Sequence, residues 1–418
     1  MTVFDELESE VRSYSRSWPT VFNHASGTRL YSEDGRPYLD FFTGAGALNY
    51  GHNPPVLKRA LLDYLAGDGV AHSLDMFTVA RRQFLEALRD LILRPRGLDH
   101  RVVFPGPGGA NAVEAALKLA RRVTGRSTVL HFTGSFHGMT LGALAVSGNA
   151  AKRAAAGVPL TYTMPLPYDG WGGDADHIDR MLDDPGSGLD LPAAVIVETV
   201  QGEGGVNAAS VGWLQALAAS CARHGVLLIV DDVQMGCGRT GGFFSFEDAG
   251  IVPDMICLSK AISGYGLPLA LTLVRPELDV WRPGDHNGTF RGIAPAFVTG
   301  AAALHAYWSD PSLEKAVRER GEYLASGLAE VVQTHPGAGL RAKGRGLAVG
   351  LDFASLGPDA GRTASRVQAG AFRQGLLVET SGADGSVVKL LPPLIVTDEE
   401  LVEGLDILAA ETTRALAG

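Results

Sequence analysis

Three observations predict an α/β fold with a mostly parallel central sheet and a smaller αβ unit in the C-terminal part. Short, continuously apolar runs alternate with amphipathic helical runs through the middle of the chain, the rhythm of strands covered by helices on both faces. Acidic residues or a lysine stand at the ends of several of those runs, where open parallel sheets bind ligands. Past residue 297 the rhythm changes to long helices followed by a second, shorter series of strands and helices. With 418 residues the chain is longer than one small core requires. We divide it into an N-terminal arm with short strands that packs with the small domain (1–55), a large domain (56–310) and a small C-terminal domain (311–418).

Taken in order, Thr28–Tyr31 and Tyr38–Phe42 read as short strands about the turn Glu33-Asp34-Gly35. The glycine-rich Thr43–His52 reads as a loop that lets backbone approach a ligand. Pro55–Tyr64 and Val79–Leu93 carry apolar residues at helical spacing. After Val102-Val103-Phe104, the turn Pro105–Gly109 opens a helix over 110–123, and a glycine turn feeding a helix N-terminus suits a phosphate. The dinucleotide fingerprint Gly-x-Gly-x-x-Gly is missing there, which removes the main support for nicotinamide binding. Strands follow at Thr128–Phe132, Ala193–Glu198, Val226–Asp231, Met255–Ser259 and Leu269–Val274, with a helix over Gly212–Arg223. The second series comprises helices Phe297–Trp308 and Pro311–Gln333, a strand in Gly346–Phe353, helix Thr363–Gln374, strands Leu376–Glu379 and Val388–Leu391, and helix Asp398–Ala415.

The formal net charge of −10, with no long basic stripe to neutralise phosphates, argues against a nucleic-acid partner. The three cysteines, Cys221, Cys237 and Cys257, lack the spacing of a zinc site or a disulfide framework and read as reduced, buried thiols. Residues 1–19 have no apolar core of the kind a secretory signal needs, and no window approaches a membrane span. The expected location is the cytoplasm, with no membrane partner.

The chemistry converges on Lys260, which ends the apolar run Ile256–Ser259 just before a turn rich in glycine. By itself such a lysine is an ordinary solvated strand end. Asp231 ends Val226–Val230, where a carboxylate is costly without a cationic partner. A lysine amine forms a Schiff base with an aldehyde, a carboxylate keeps a pyridine nitrogen protonated, and a helix N-terminus binds a phosphate. Together these needs describe pyridoxal 5'-phosphate.

The segments Asn49–His52, Gly109–Ala115, Phe136-His137-Gly138, Glu198–Gly205, Asp231–Gln234 and Leu258-Ser259-Lys260 occur in an order that resembles class III, fold type I pyridoxal-phosphate aminotransferases over essentially the whole chain. Within that class, His72–Met76, Phe136–Gly142, Ser263–Pro268 and His286–Gly292 most resemble the diaminobutyrate aminotransferases of the ectoine pathway. The resemblance implies that Lys260 is the Schiff-base lysine, that Asp231 pairs with the ring nitrogen, and that Gln234 bonds the ring oxygen. It further implies that Phe136 stacks on the ring, with His137 beside it in a structural part, and that Gly109 and Ala110 bind the phosphate through backbone N–H groups. Glu198 would support the site, and Thr289 would reach the cofactor of a neighbouring subunit, implying a homodimer at least. The implied reaction moves the terminal amino group between L-2,4-diaminobutyrate and 2-oxoglutarate, an amino donor and a 2-oxo acid acceptor, in ping-pong fashion. Transfer from another ω-amino compound, a same-fold aminomutase or racemase, and a non-catalytic cofactor-binding regulator are the alternatives.

Departures from the family pattern concentrate at the phosphate turn and the substrate side. Gly108, Gly109 and Ala110 stand where hydroxyl side chains are usual, and each lost neutral contact costs about 1 kcal/mol at most, predicting weaker cofactor retention. Met139 replaces a carboxylate-gripping arginine, and Lys389 replaces another. A lysine binds carboxylate as a point charge without the bidentate fork of arginine. We expect Glu203 to pair with Lys389 and to release it for the carboxylate of 2-oxoglutarate. Asn49 and Met139 are further candidate substrate contacts, Arg239 reads as a loop-positioning charge, and Ile293-Ala294-Pro295 reshapes the loop beside Thr289.

Overall fold

The computed structural model describes residues 2–172 and 176–417. Strands β1 (Phe22–Ser26), β2 (Arg29–Ser32) and β3 (Pro37–Asp40) open the chain. The middle supplies β4 (Arg101–Val103), β5 (Val129–Phe132), β6 (Thr163–Leu166), β7 (Ala194–Val197), the short pair β8 (Val200–Gln201) and β9 (Asn207–Ala208), then β10 (Leu227–Asp231), β11 (Met255–Leu258) and β12 (Leu271–Val274). The last third adds β13 (Arg341–Arg345), β14 (Ala348–Asp352), β15 (Leu376–Leu377), β16 (Glu379–Ser381) and β17 (Val387–Leu390).

Seven strands form the central sheet in the order β4-β12-β11-β10-β7-β5-β6. It is parallel from β11 to β6, and β12 runs antiparallel to both of its neighbours. Strands β5, β7, β10, β11 and β12 are apolar because helices cover both faces. Alternate residues divide between the two layers. Ile196, Ile229 and Cys257 pack with Ala112, Val113 and Ala116 of the helix Gly109–Thr124. Val195, Val197, Leu228 and Ile256 pack on the opposite side with Trp213, Leu217 and Phe297. Cys221, Cys237 and Cys257 are free and buried.

A second core joins Leu324 and Leu328 of the helix Ser312–Thr334, Val349 and Leu351 of β14, Val388 and Leu390 of β17, and Leu401 and Leu408 of the helix Asp398–Ala417. Leu39 and Phe41 from the N-terminal part belong to this core. Strand β15 pairs in parallel with β3, while β16 pairs antiparallel with β17.

Several elements differ from the sequence reading. The single strand expected over Leu376–Glu379 divides at Val378: Leu376 and Leu377 pair with Leu39 and Asp40 of β3, while Glu379–Ser381 pair with β17, so the two halves join different sheets. The helix expected over Val79–Leu93 is α-helical to Ala87 and π-helical over Leu88–Leu93, a register that keeps Leu88, Ile92 and Leu93 buried ahead of Pro95. Thr43–Gly46, read as loop, forms one tight turn with Gly44 and Ala45 at φ of +57° and +58°. Strand β13, polar in sequence, had no apolar signal; its backbone pairs with β14.

Among the described residues no helix is long and apolar enough to cross a membrane, and no cluster of His, Cys, Asp and Glu could hold a metal ion.

Candidate active site

The parallel register brings the chemistry to one edge of the central sheet. Asp231 pairs with Cys257 across β10 and β11, so Lys260 emerges just beyond the same end. Val197 pairs with Val230, which places Glu198 alongside, and Phe136 follows the end of β5 in the loop before the helix Leu141–Ala145. A cavity of about 170 Å³ at this edge is lined by Gly109, Ala110, Phe136, His137, Glu198, Glu203, Asp231, Gln234 and Lys260, among others.

Lys260 begins a 3-10 turn at φ +50°, and its Nζ donates to the carbonyl of Ala45 at 2.9 Å. Burial lowers the pKa of the amine; Lys389 pushes the same way, and Glu203 opposes it. A larger neutral fraction is what a nucleophilic amine needs. Gln234 Nε2 donates to the same Ala45 carbonyl at 2.9 Å and lies 3.4 Å from Glu203 Oε1.

Asp231 closes β10 with its Oδ1 accepting from Val233 N at 3.1 Å and its Oδ2 2.6 Å from His137 Nδ1. Burial works against charge on His137, but the hydrogen bond and charge of Asp231 outweigh it and raise the imidazole pKa. The partner of the buried Asp231 carboxylate is therefore His137, whose Nε2 has no hydrogen-bond partner. Glu198 accepts from Phe136 N at 2.9 Å, and burial, aided by Asp231, pushes its pKa up to about 7. Lys152 Nζ stands 4.2 Å from the centroid of the Phe136 ring.

The helix Gly109–Thr124 aims its N-terminus at the cavity, and the first N–H groups of any helix lack intrahelical partners. Glycine at 109 is a packing requirement: a Cβ there would stand 2.7 Å from Val233 Cγ1, two residues from Asp231.

Behind the cavity-lining Glu203, Lys389 is completely buried, with Nζ 2.6 Å from Glu203 Oε1 and 3.0 Å from Glu379 Oε1. Burial disfavours the ammonium, but the two carboxylates outweigh it and raise its pKa. Burial likewise opposes ionisation of Glu203, yet Lys389 and Lys260 draw it down to about 2. Glu379 is pushed up by burial, with Lys389 opposing and Glu203 adding to the rise. Tyr14, packed on Phe42 and Trp18, is close enough to feel Glu379 and Glu203; burial and these charges push its pKa up to about 12.

Besides Lys389, three candidates fall outside the cavity lining. Asn49 is fully buried but committed elsewhere, donating to Cys237 O at 2.9 Å and accepting from Arg239 Nη2 at 2.6 Å. It is part of a buried staple with Arg239, whose guanidinium also bonds Leu347 O and Thr43 Oγ1. Met139 is 54% exposed, because Gly138 at φ +129° turns the chain away after Phe136 and His137. Thr289 is exposed in the turn Thr289–Arg291, its carbonyl accepting from His72 Nε2 at 2.7 Å. Sequence reasoning missed Glu379, Tyr14 and Lys152. Only Glu379 left a usable trace: a hairpin register across β16 and β17 sets it opposite Lys389.

A family model described as "Aminotransferase class-III" matches residues 12–411. The chain belongs to the class III aminotransferases. A diaminobutyrate–2-oxoglutarate transaminase of Nocardia farcinica is 61% identical, the match covering 100% of this chain and 95% of the relative. One of the same name from Halalkalibacterium halodurans is 54% identical over 100% and 97% of the two chains. The fold is shared with an ornithine aminotransferase of Toxoplasma gondii (TM-score 0.85, 24% identity, covering 99% of this chain and 94% of that one). It is also shared with a transaminase from the marine bacterium Virgibacillus (TM-score 0.86, 19% identity, 99% and 98%).

Class III aminotransferases work with pyridoxal 5'-phosphate, and the cavity of this aminotransferase has the donor set that group requires. An N-terminal helix end suits the phosphate, a carboxylate backed by an imidazole suits the ring nitrogen, and an amine of lowered pKa suits the aldehyde.

Proposed function

We propose that this class III aminotransferase moves the terminal amino group between L-2,4-diaminobutyrate and 2-oxoglutarate, with aspartate 4-semialdehyde and glutamate as the other pair, as a step of ectoine synthesis in the cytoplasm. The observation that carries the reading is the charged pocket beside the cofactor cavity, where cavity-lining Glu203 meets fully buried Lys389. The 61% identity to a relative bearing that name supports the choice of substrates.

Pyridoxal phosphate, when bound, supplies the electron sink and carries the amino group between the two half-reactions. Gly109 and Ala110 would hold its phosphate, Phe136 its ring face, Asp231 its ring nitrogen and Lys260 its aldehyde carbon. Asp231 with His137 keeps a proton available at the ring nitrogen. Glu198 orients the loop carrying Phe136 through the backbone N–H of that residue. Lys260 Nζ, favoured as the neutral amine, accepts and returns the substrate proton. Gln234 fixes Ala45 and Glu203 around it. Glu203 holds Lys389 in the resting pocket and releases it when the 2-oxo acid brings a carboxylate.

The large domain (56–310) holds the cofactor in this reading, and the small domain (311–418), with the arm 1–55, supplies Lys389, Glu379 and Tyr14. We read the enzyme as a homodimer with shared sites. Phe77, Met76, Phe290 and Met139 are 99%, 59%, 59% and 54% exposed, an apolar set a second copy would cover, and Thr289 lies among them in sequence and exposure.

The test is a half-reaction. Adding diaminobutyrate to the holoenzyme should shift the cofactor absorbance, and 2-oxoglutarate should reverse the shift. A panel of ω-amino donors run in parallel sinks the substrate assignment if another donor is turned over with a larger kcat/KM.

A further inference from the structure

Lys389 faces two carboxylates where one would neutralise it. Glu379 lies directly across the β16/β17 ladder from Lys389, 3.0 Å from its ammonium, while Glu203 reaches the same nitrogen at 2.6 Å from the turn after β8. Glu379 is 4% exposed, and its Oε1 has no well-directed hydrogen-bond donor. An additional buried carboxylate is costly unless a cation or a proton joins it. Structural bracing of Lys389 does not account for it, because Glu203 alone balances the charge.

The two substrates of the proposed reaction make opposite demands on this pocket. Beyond its reacting end, the diamino donor carries an ammonium and a carboxylate on one carbon; the 2-oxo acid carries only a distal carboxylate. Their far ends differ by one positive charge. We propose that Glu379 is the charge-balancing, specificity-determining residue of the pocket: an ionised carboxylate while the untransferred ammonium of the donor sits against Glu203, and a neutral acid while the 2-oxo acid carboxylate sits against Lys389. The total charge of the pocket plus the far end of the ligand is then the same in both complexes, and the donor complex holds one proton fewer at Glu379 than the 2-oxo acid complex. Glu379 is a positioning residue that acts through Glu203 and Lys389, and this role rests on the diaminobutyrate reading.

The groups facing Glu379 are Lys389 on the neighbouring strand, Glu203 from the turn after β8, Tyr14 from the N-terminal arm and Lys260 across the cavity. Burial and Glu203 push Glu379 upward, in the direction that lets it exchange a proton. Glu203 at about 2 and Tyr14 at about 12 titrate outside the working range, and Lys389 is raised further from it. Any titration of Lys260 or Glu198 persists when Glu379 is replaced.

Steady-state kinetics of the holoenzyme across about pH 6 to 9 test the role in wild type and Glu379→Gln. In wild type the KM for diaminobutyrate should fall as pH rises, and the KM for 2-oxoglutarate should rise. In Glu379→Gln the donor KM should increase about tenfold or more, the acceptor KM should stay within about twofold, and both opposed trends should flatten. Equal changes in both KM values, or trends that survive the substitution, overturn the role. Should Glu379→Gln not fold, the wild-type profiles decide alone: parallel or flat trends overturn it. Should diaminobutyrate not be turned over, the substrate reading fails separately. The charge rule is then read from L-ornithine, whose far end bears an ammonium, against 4-aminobutyrate, whose far end does not; Glu379→Gln should raise the KM of the first only, and an equal effect on both overturns the rule.

Discussion

Replacing Lys389 with methionine should reverse the pH dependence of stability of this aminotransferase. The lysine is fully buried, and its removal leaves Glu203 and Glu379 facing each other with no ammonium between them. Removing one partner of a buried ion pair costs about 3–5 kcal/mol, because a charge is left uncompensated in a poorly solvated site. A second route gives a similar figure. Holding Glu203 ionised down to about 2 instead of the ordinary 4.5 corresponds to about 3 kcal/mol. In the wild type that contribution is present above the unfolded-state value and is lost as pH falls toward 2. In Lys389→Met both carboxyls are pushed up, by burial and by each other, so stability is greatest under acidic conditions and falls as pH rises. The deficit relative to wild type should be about 3–5 kcal/mol near pH 8 and should shrink toward pH 5.5. Urea unfolding followed by tryptophan fluorescence at the two pH values measures it through the midpoint, provided the slope is unchanged. A deficit under about 1 kcal/mol near pH 8, the level of a solvated surface pair, would refute the buried-triad argument, as would the same deficit at both pH values. The apparent affinity for 2-oxoglutarate should drop in the same variant.

Asp232 is buried with Oδ1 unpaired, and burial pushes its pKa up to about 7. A carboxyl raised in the folded state contributes stability below its unfolded value and loses it as pH rises, so Asp232→Asn should gain on the order of 3 kcal/mol near pH 8 and nothing near pH 4. Thermal unfolding at both values checks this, and an unchanged gap between variant and wild type contradicts it. Lys260→Ala should abolish amino transfer without lowering the unfolding midpoint of the cofactor-free protein. Burial opposes the charge of this lysine, and alanine inherits the same backbone conformation, φ +50°. A melting temperature several degrees below wild type would show that Lys260 is retained for stability.

The sequence by itself determined the central sheet and the polar residues at the ends of its strands. Apolar runs ending in Asp231 and Lys260 are a local signal, because strands buried on both faces must be apolar throughout and a polar residue at their end stands out. The turn before Gly109 and the helix after it were likewise legible from residue type alone. Tertiary structure decided what depends on register and on residues far apart in the chain. His137 became the partner of Asp231 through a bond spanning 94 positions, and Asn49 was claimed by Arg239 across 190. Met139 follows Phe136 and His137 in sequence but leaves the site at Gly138, since one backbone turn outweighs adjacency. Strand Leu376–Glu379 looked continuous because an apolar run does not say which of two sheets will pair with each half. The pairing of Glu379 with Lys389 follows only from the antiparallel ladder, where slipping by one residue would send the carboxylate to the other face. Residue chemistry is written locally, but the charge balance of a pocket is a sum over neighbours, and only the folded chain chooses the neighbours.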